Sequence, residues 1–76
     1  MELVLVIWHD AHSVGETWMA LEEIDAEPCV VQTVGFLIPD GKPDHVVVAQ
    51  SYNTHDGYDS VLAVPVAMVK QLKILG

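Results

Sequence analysis

Two short stretches hold most of the side chains that do chemistry. His9, Asp10, His12 and Ser13 follow the first apolar run, and Ser51, His55 and Asp56 cluster later in the chain. Imidazole and carboxylate groups are metal ligands. On an extended strand, however, residues 10 and 12 share one face while 9 points away. Two ligands on one face do not make a site, and only His45 or His55 is left to complete one, so no metal site is predicted. Ser13 with His12 and Asp10, or Ser51 with His55 and Asp56, has the composition of a hydrolytic triad. Neither set lies in a nucleophile-bearing motif, and a triad is defined by geometry rather than by composition. Gly35, Gly41 and Gly57 are isolated, so no phosphate-cradling loop is present. The expectation is a protein with no catalytic residues and no cofactor.

The aromatic residues offer a different chemistry. Trp8 stands at the polar mouth of the first apolar run, where it either fills the core or forms the flat wall of a pocket. Trp18 is spaced from Leu21 as a core residue. Tyr52 and Tyr58 flank a polar loop at 53–59, either as a wall of the same pocket or as a clasp on the loop.

Charge narrows the partners. Eleven acidic residues face Lys42, Lys70 and Lys73, with no arginine, for a formal charge of −8. Nucleic-acid binders use clustered cations, so DNA, RNA and anionic membrane surfaces are not expected partners. The acidic stretch Glu22, Glu23, Asp25 and Glu27 is too short for DNA mimicry and reads as a solvated face. Cys29 is the single cysteine, which excludes a disulfide framework within one chain. Its apolar neighbours Val30 and Val31 predict burial. No basic region precedes the LVLVIW run, which is also far too short to cross a membrane, so a cytoplasmic protein is expected.

The elements that must position these residues are mostly strands. The chain has 76 residues, 51% of them hydrophobic, which allows one domain over 1–76 and excludes disorder. Apolar runs bounded by turn residues predict strands near 2–9, 29–38, 45–52, 60–64 and 71–75. Gly35 inside the second marks a bulge or bend. PDGKPD at 39–44 is the strongest turn signal, making 29–52 a hairpin. Ser13 and Glu16 have capping-box spacing ahead of a short helix or turn across 14–24. The expected core is Leu3, Leu5, Ile7, Val34, Phe36, Val47, Leu62, Val64, Met68 and Leu72. The expected fold class is mainly β, a small five-stranded barrel with a short helix or turn between strands one and two. The ending VLAVPVAMVKQLKIL, strand, proline, turn and strand, resembles that of SH3-like and Sm-like barrels. The alternative is an α+β sheet with the 14–24 helix on one face. Alternation is weak in residues 3–7 and 46–49, and strands apolar on both faces need cover on both. A homo-oligomer is therefore expected, with the first or third strand at its interface.

Trp8-x-Asp10, Ser13, Trp18, Val34-Gly35-Phe36-Leu37-Ile38, Lys42, Val46 to Ser51, Val64-Pro65-x-x-Met68-Val69 and Leu72-x-Ile74 together resemble a small family common in tailed bacteriophages and prophages. The likeness runs over most of the chain. The sequence departs from the family pattern at Asp10-Ala11-His12-Ser13, where a serine often follows the aspartate directly. It also departs at Thr33 and Gln50. The resemblance implies a phage origin and a compact β fold, and small phage proteins often act on the host. Two functions follow as expectations, the first the favoured reading and the second its alternative. One is an oligomeric anti-defence sponge that sequesters a nucleotide-type immune signal. The other is an interaction module that inhibits a host defence protein. In the sponge reading, Trp8 stacks on a base, worth about 1–3 kcal/mol, and Asp10 accepts from an exocyclic amine. Ser13 and Lys42 face the phosphate, from neighbouring protomers if need be, and His55, Asp56 and Tyr58 share the rim. In the plainer reading, Trp8 plugs the barrel end and Asp10 caps the turn that follows.

Overall fold

A computed structural model describes residues 1–10 and 29–76. The helix or turn expected over 14–24, with Ser13, Glu16 and Trp18, lies outside the described residues, as does His12. Five antiparallel strands form one sheet: β1 (Leu3–Asp10), β2 (Cys29–Leu37), β3 (His45–Tyr52), β4 (Tyr58–Pro65) and β5 (Val69–Ile74). Their order is β4-β3-β2-β1-β5. A single 3₁₀ turn, Val66–Met68, follows Pro65 and leads into β5. This is the mainly β, small-barrel arrangement expected from the strand-proline-turn-strand ending. β4 and β5 are the two ends of the hydrogen-bonded order, so the ladder does not close between them.

The turns explain why β2, β3 and β4 follow one another. Asp40 and Asp44 adopt left-handed backbone in the β2–β3 turn, and Asp56 does so in the β3–β4 turn. Aspartate tolerates that region because its short polar side chain bonds locally. The β2–β3 turn and the 3₁₀ turn meet where the Val66 amide donates to the Asp44 carbonyl at 2.9 Å. The chain end returns to β1, with the Leu3 amide donating to the Gly76 carbonyl at 2.9 Å.

The register fixes which side chains face inward. Val4 stands opposite Gly35, Val6 opposite Thr33 and Trp8 opposite Val31. Val4, Val6 and Val48 are buried together, with Trp8, Leu37, Val46, Leu62 and Val69 packed against them. Val64 is buried as expected. Val47 is buried and Leu62 packs against the core, also as expected, while the rest of the expected core needs correction. On β1 the even residues face the core, while Leu3, Leu5 and Ile7 lie half-buried on the opposite face. A strand apolar on both faces gives no parity signal, and shifting the parity by one moves every side chain across the sheet. Val34 and Leu72 are exposed. Val34 is exposed because it shares the outer face with Leu5, its partner on β1. Cys29, expected to be buried, is exposed at the start of β2. Val47 is buried on the outer face, where a side chain at Gly41 would meet its Cβ at 3.1 Å.

β2 changes partner along its length. Residues 29–36 pair with β1, but only Phe36 and Leu37 pair with β3, opposite Ala49 and Val48. Gly35 sits at this junction. A Cβ there would lie 2.9 Å from the Ala49 carbonyl oxygen and 3.1 Å from the Val48 Cβ. The bend read from the sequence is therefore a close crossing of two strands that needs a residue without a side chain.

Candidate functional site

β1 carries Trp8 and Asp10 to one end of the sheet. Trp8 is half-buried against the core, and its indole Nε1–H donates to Thr33 Oγ1 at 3.0 Å. Thr33 and Trp8 share the inner face because their β-partners, Val6 and Val31, do. Trp8 thus has its ring packed and its polar atom satisfied within the sheet. Thr33 supplies the acceptor. Asp10 is exposed at the end of β1, opposite Cys29.

The β3–β4 turn follows the part of β3 that runs on beyond its short pairing with β2 at Phe36 and Leu37. Asn53 builds it: its Oδ1 accepts from the His55 and Gly57 amides, each at 2.9 Å. The Asn53 amide donates to the Gly57 carbonyl at 3.0 Å. His55, Asp56 and Tyr58 are exposed here. Tyr52 and Tyr58 stand directly opposite each other as β3 and β4 enter the turn. The Tyr52 ring also meets Phe36 edge to face, with centroids 4.9 Å apart, an arrangement that aligns ring edge with ring face. Ser51, Tyr52, Asn53, Gly57, Tyr58 and Asp59 line a shallow cleft of 190 Å³. That space is smaller than the several hundred Å³ usual for a small-molecule site, and Trp8 and Asp10 do not line it.

Lys42 lies at the other end. It occupies the β2–β3 turn, in an open depression with Asp40, Pro43, Asp44, His45 and Val66. His45 Nδ1–H donates to the Pro43 carbonyl there at 2.7 Å. β2 runs from Cys29, opposite Asp10, to this turn, roughly 26 Å at about 3.3 Å per residue. Lys42 and Asp10 of one chain therefore do not meet around one small ligand. Of the residues predicted from sequence, His55, Asp56 and Tyr58 lie together at the β3–β4 turn, while Trp8 and Asp10 lie on β1, which pairs with neither β3 nor β4. Lys42 is apart, and Ser13 lies outside the described residues. Among the described residues no cluster of three His, Cys, Asp or Glu side chains is placed to hold a metal ion.

Asn53 is the residue that sequence reading passed over. Its signal was a lone Asn opening a polar loop, a type that bonds its own backbone two residues on. Asn53→Ala removes two acceptor contacts from an exposed turn, each worth about 0.5–1.5 kcal/mol. The expected loss is about 1–2 kcal/mol in chemical denaturation, together with faster amide exchange at His55 and Gly57. An unchanged midpoint contradicts the assignment of the turn to Asn53.

No helix among the described residues is long and apolar enough to cross a membrane. The chain matches no family model, no curated protein and no solved structure, so the fold and the side chains described above carry the functional argument alone.

Proposed function

We propose that this protein is a non-enzymatic accessory module of the kind phages carry, which acts in the host cytoplasm as a homo-oligomer and inhibits a host defence protein by binding it. One observation carries the reading. In a chain of formal charge −8, Val30, Val34 and Val61 stand exposed on the outer face, which by register also carries the half-buried Leu3, Leu5 and Ile7. Exposed apolar patches of this kind mark protein interaction surfaces.

A second reading is the anti-defence sponge for a nucleotide-type signal. The opposed Tyr52 and Tyr58, with Asn53 and Asp59 beside them, favour it, since aromatic faces stack on bases. Against it, Trp8 is already engaged by Thr33, and Lys42 reaches a shared ligand only from a neighbouring protomer.

The two readings separate in one purification. The tagged protein is isolated natively from defence-active host cells, and bound material is examined by mass spectrometry. The interaction reading expects a stoichiometric host polypeptide, lost with Val61→Asp. A released nucleotide in its place overturns it. So does a melting-temperature rise with any cyclic di- or trinucleotide, or ADP-ribose-type signal, at about 100 μM, well above micromolar binding worth about −8 kcal/mol.

A further inference from the structure

We propose that two copies of this chain associate through the free side of β2, strand against strand, with Gln32 on the two-fold axis. This rests on the homo-oligomer part of the function proposed above and names its interface. β1 is flanked by β2 and β5, and β3 by β2 and β4. Their backbones are largely engaged, which leaves edges as the sites for strand addition. β2 is paired, among the described residues, on one side only over residues 29–34, because it meets β3 at Phe36 and Leu37 and crosses it closely at Gly35. Among the described residues nothing pairs with its other side there.

Three features separate this edge from the two ends of the sheet. Natural edges are blunted by charge, proline or irregularity. β4 carries Asp59, a left-handed Ser60 and Pro65. β5 carries Lys70 and Lys73, and its register with β1 shifts between Ile7 and Trp8. β2 reads CVVQTVGFL, with no charge and no proline. Charge also selects the occupant. Two copies that each carry −8 repel, and a two-fold contact places like beside like, which is unfavourable for directly opposed charges. An uncharged strand is the place where a second copy adds no such contact.

The side chains are self-complementary in one register. Centred on Gln32, an antiparallel pair places Val30 of one copy opposite Val34 of the other, twice, and Gln32 opposite itself. These valines are 58% and 56% exposed and lie on the same face. Cross-strand β-branched pairs are favourable, and two glutamine amides can bond each other across the axis. The contact joins the β5-β1-β2 layers of two copies into one continuous sheet.

The test is analytical ultracentrifugation of the full chain up to about 100 μM, above the micromolar range in which a dimer of modest affinity forms, together with a cross-link. The wild-type protein is expected at twice its monomer mass of 8.3 kDa. Gln32→Lys, which opposes two cations on the axis, is expected to weaken the dimer at least tenfold. The double variant Val30→Lys, Val34→Glu is expected to retain it, since the introduced lysine faces the introduced glutamate of the other copy. In a Cys29→Ser background, Gln32→Cys is expected to give a disulfide-linked dimer with diamide, which takes up the two thiol hydrogens. Paired Cα atoms of antiparallel strands lie about 4.5–5.5 Å apart, within disulfide reach. A wild-type chain that stays monomeric at the top concentration overturns this interface and the self-association reading together. A wild-type oligomer that Gln32→Lys does not weaken, or that fails to cross-link through position 32, overturns this interface and leaves self-association standing. Should Gln32→Lys lose its circular dichroism, the cross-link alone decides.

Discussion

Trp8→Ala is expected to cost about 3–5 kcal/mol of folding stability, the usual range for removing a packed tryptophan. A chain of 76 residues has roughly 4–11 kcal/mol in total, at about 0.05–0.15 kcal/mol per residue. The loss therefore removes from about a quarter of that stability to all of it, and far-UV circular dichroism in urea reports it as a lower unfolding midpoint. The magnitude comes from the place of the ring. Trp8 packs on Val4, Val6 and Val48, the centre of the core, and donates to Thr33 Oγ1 at 3.0 Å. Thr33→Val isolates the polar part of that contribution. It keeps the shape of the side chain and leaves the indole N–H without its acceptor, for an expected loss of about 1–3 kcal/mol. A Trp8→Ala protein as stable as wild type would remove Trp8 from the core and restore it as a candidate stacking wall. Stability lost without any nucleotide-dependent change in tryptophan fluorescence is the outcome expected of a structural Trp8.

Gly35→Ala is expected to destabilise the protein despite adding only one methyl group. Two effects oppose each other. Replacing glycine in a strand lowers the entropy of the unfolded chain and contributes about 0.5–1 kcal/mol of stability. Forcing atoms into a packed site costs about 1–3 kcal/mol. The second effect wins here, because the new Cβ lies 2.9 Å from the carbonyl oxygen of Ala49, and that oxygen belongs to a paired strand. Relief requires moving β3 away from β2 where Phe36, Leu37 and the Ile38 amide hold them together. A net loss of about 1–2 kcal/mol is expected. Amide exchange at Ile38, which donates to the Val47 carbonyl at 2.8 Å, is expected to quicken first. A gain in stability would show that the crossing is looser than the geometry implies.

Much of the fold was legible in the residues. The apolar runs and the turn chemistry of Pro39-Asp40-Gly41 located the strands, because backbone preference and turn type act over a few neighbouring residues. Pro65 announced the 3₁₀ turn before β5 for the same reason. Gly35 announced a bend, though not its cause. The candidate site was legible only in pieces. Tyr52 and Tyr58 flank one loop, so their opposition followed from local hairpin geometry. His55, Asp56 and Tyr58 are neighbours in sequence and could hardly be separated.

Local chemistry thus specifies the strand positions, the turn positions, the absence of a cationic cluster and the class of the fold. Contacts between distant segments set the rest. Val4 and Val6 face inward while Leu3, Leu5 and Ile7 do not, because neighbouring strands choose the parity of a run that is apolar on both faces. Lys42 stands at the opposite end of the sheet from Asp10, because antiparallel order, not composition, assigns each turn to an end. Thr33 became the partner of Trp8 through pairing between residues 25 positions apart. Among the described residues β2 keeps one side unpaired over much of its length, because it passes from β1 to β3 only near its last two residues. Each of these depends on contacts between distant segments, which exist only once the chain has closed its loops, and no window of a few residues contains them.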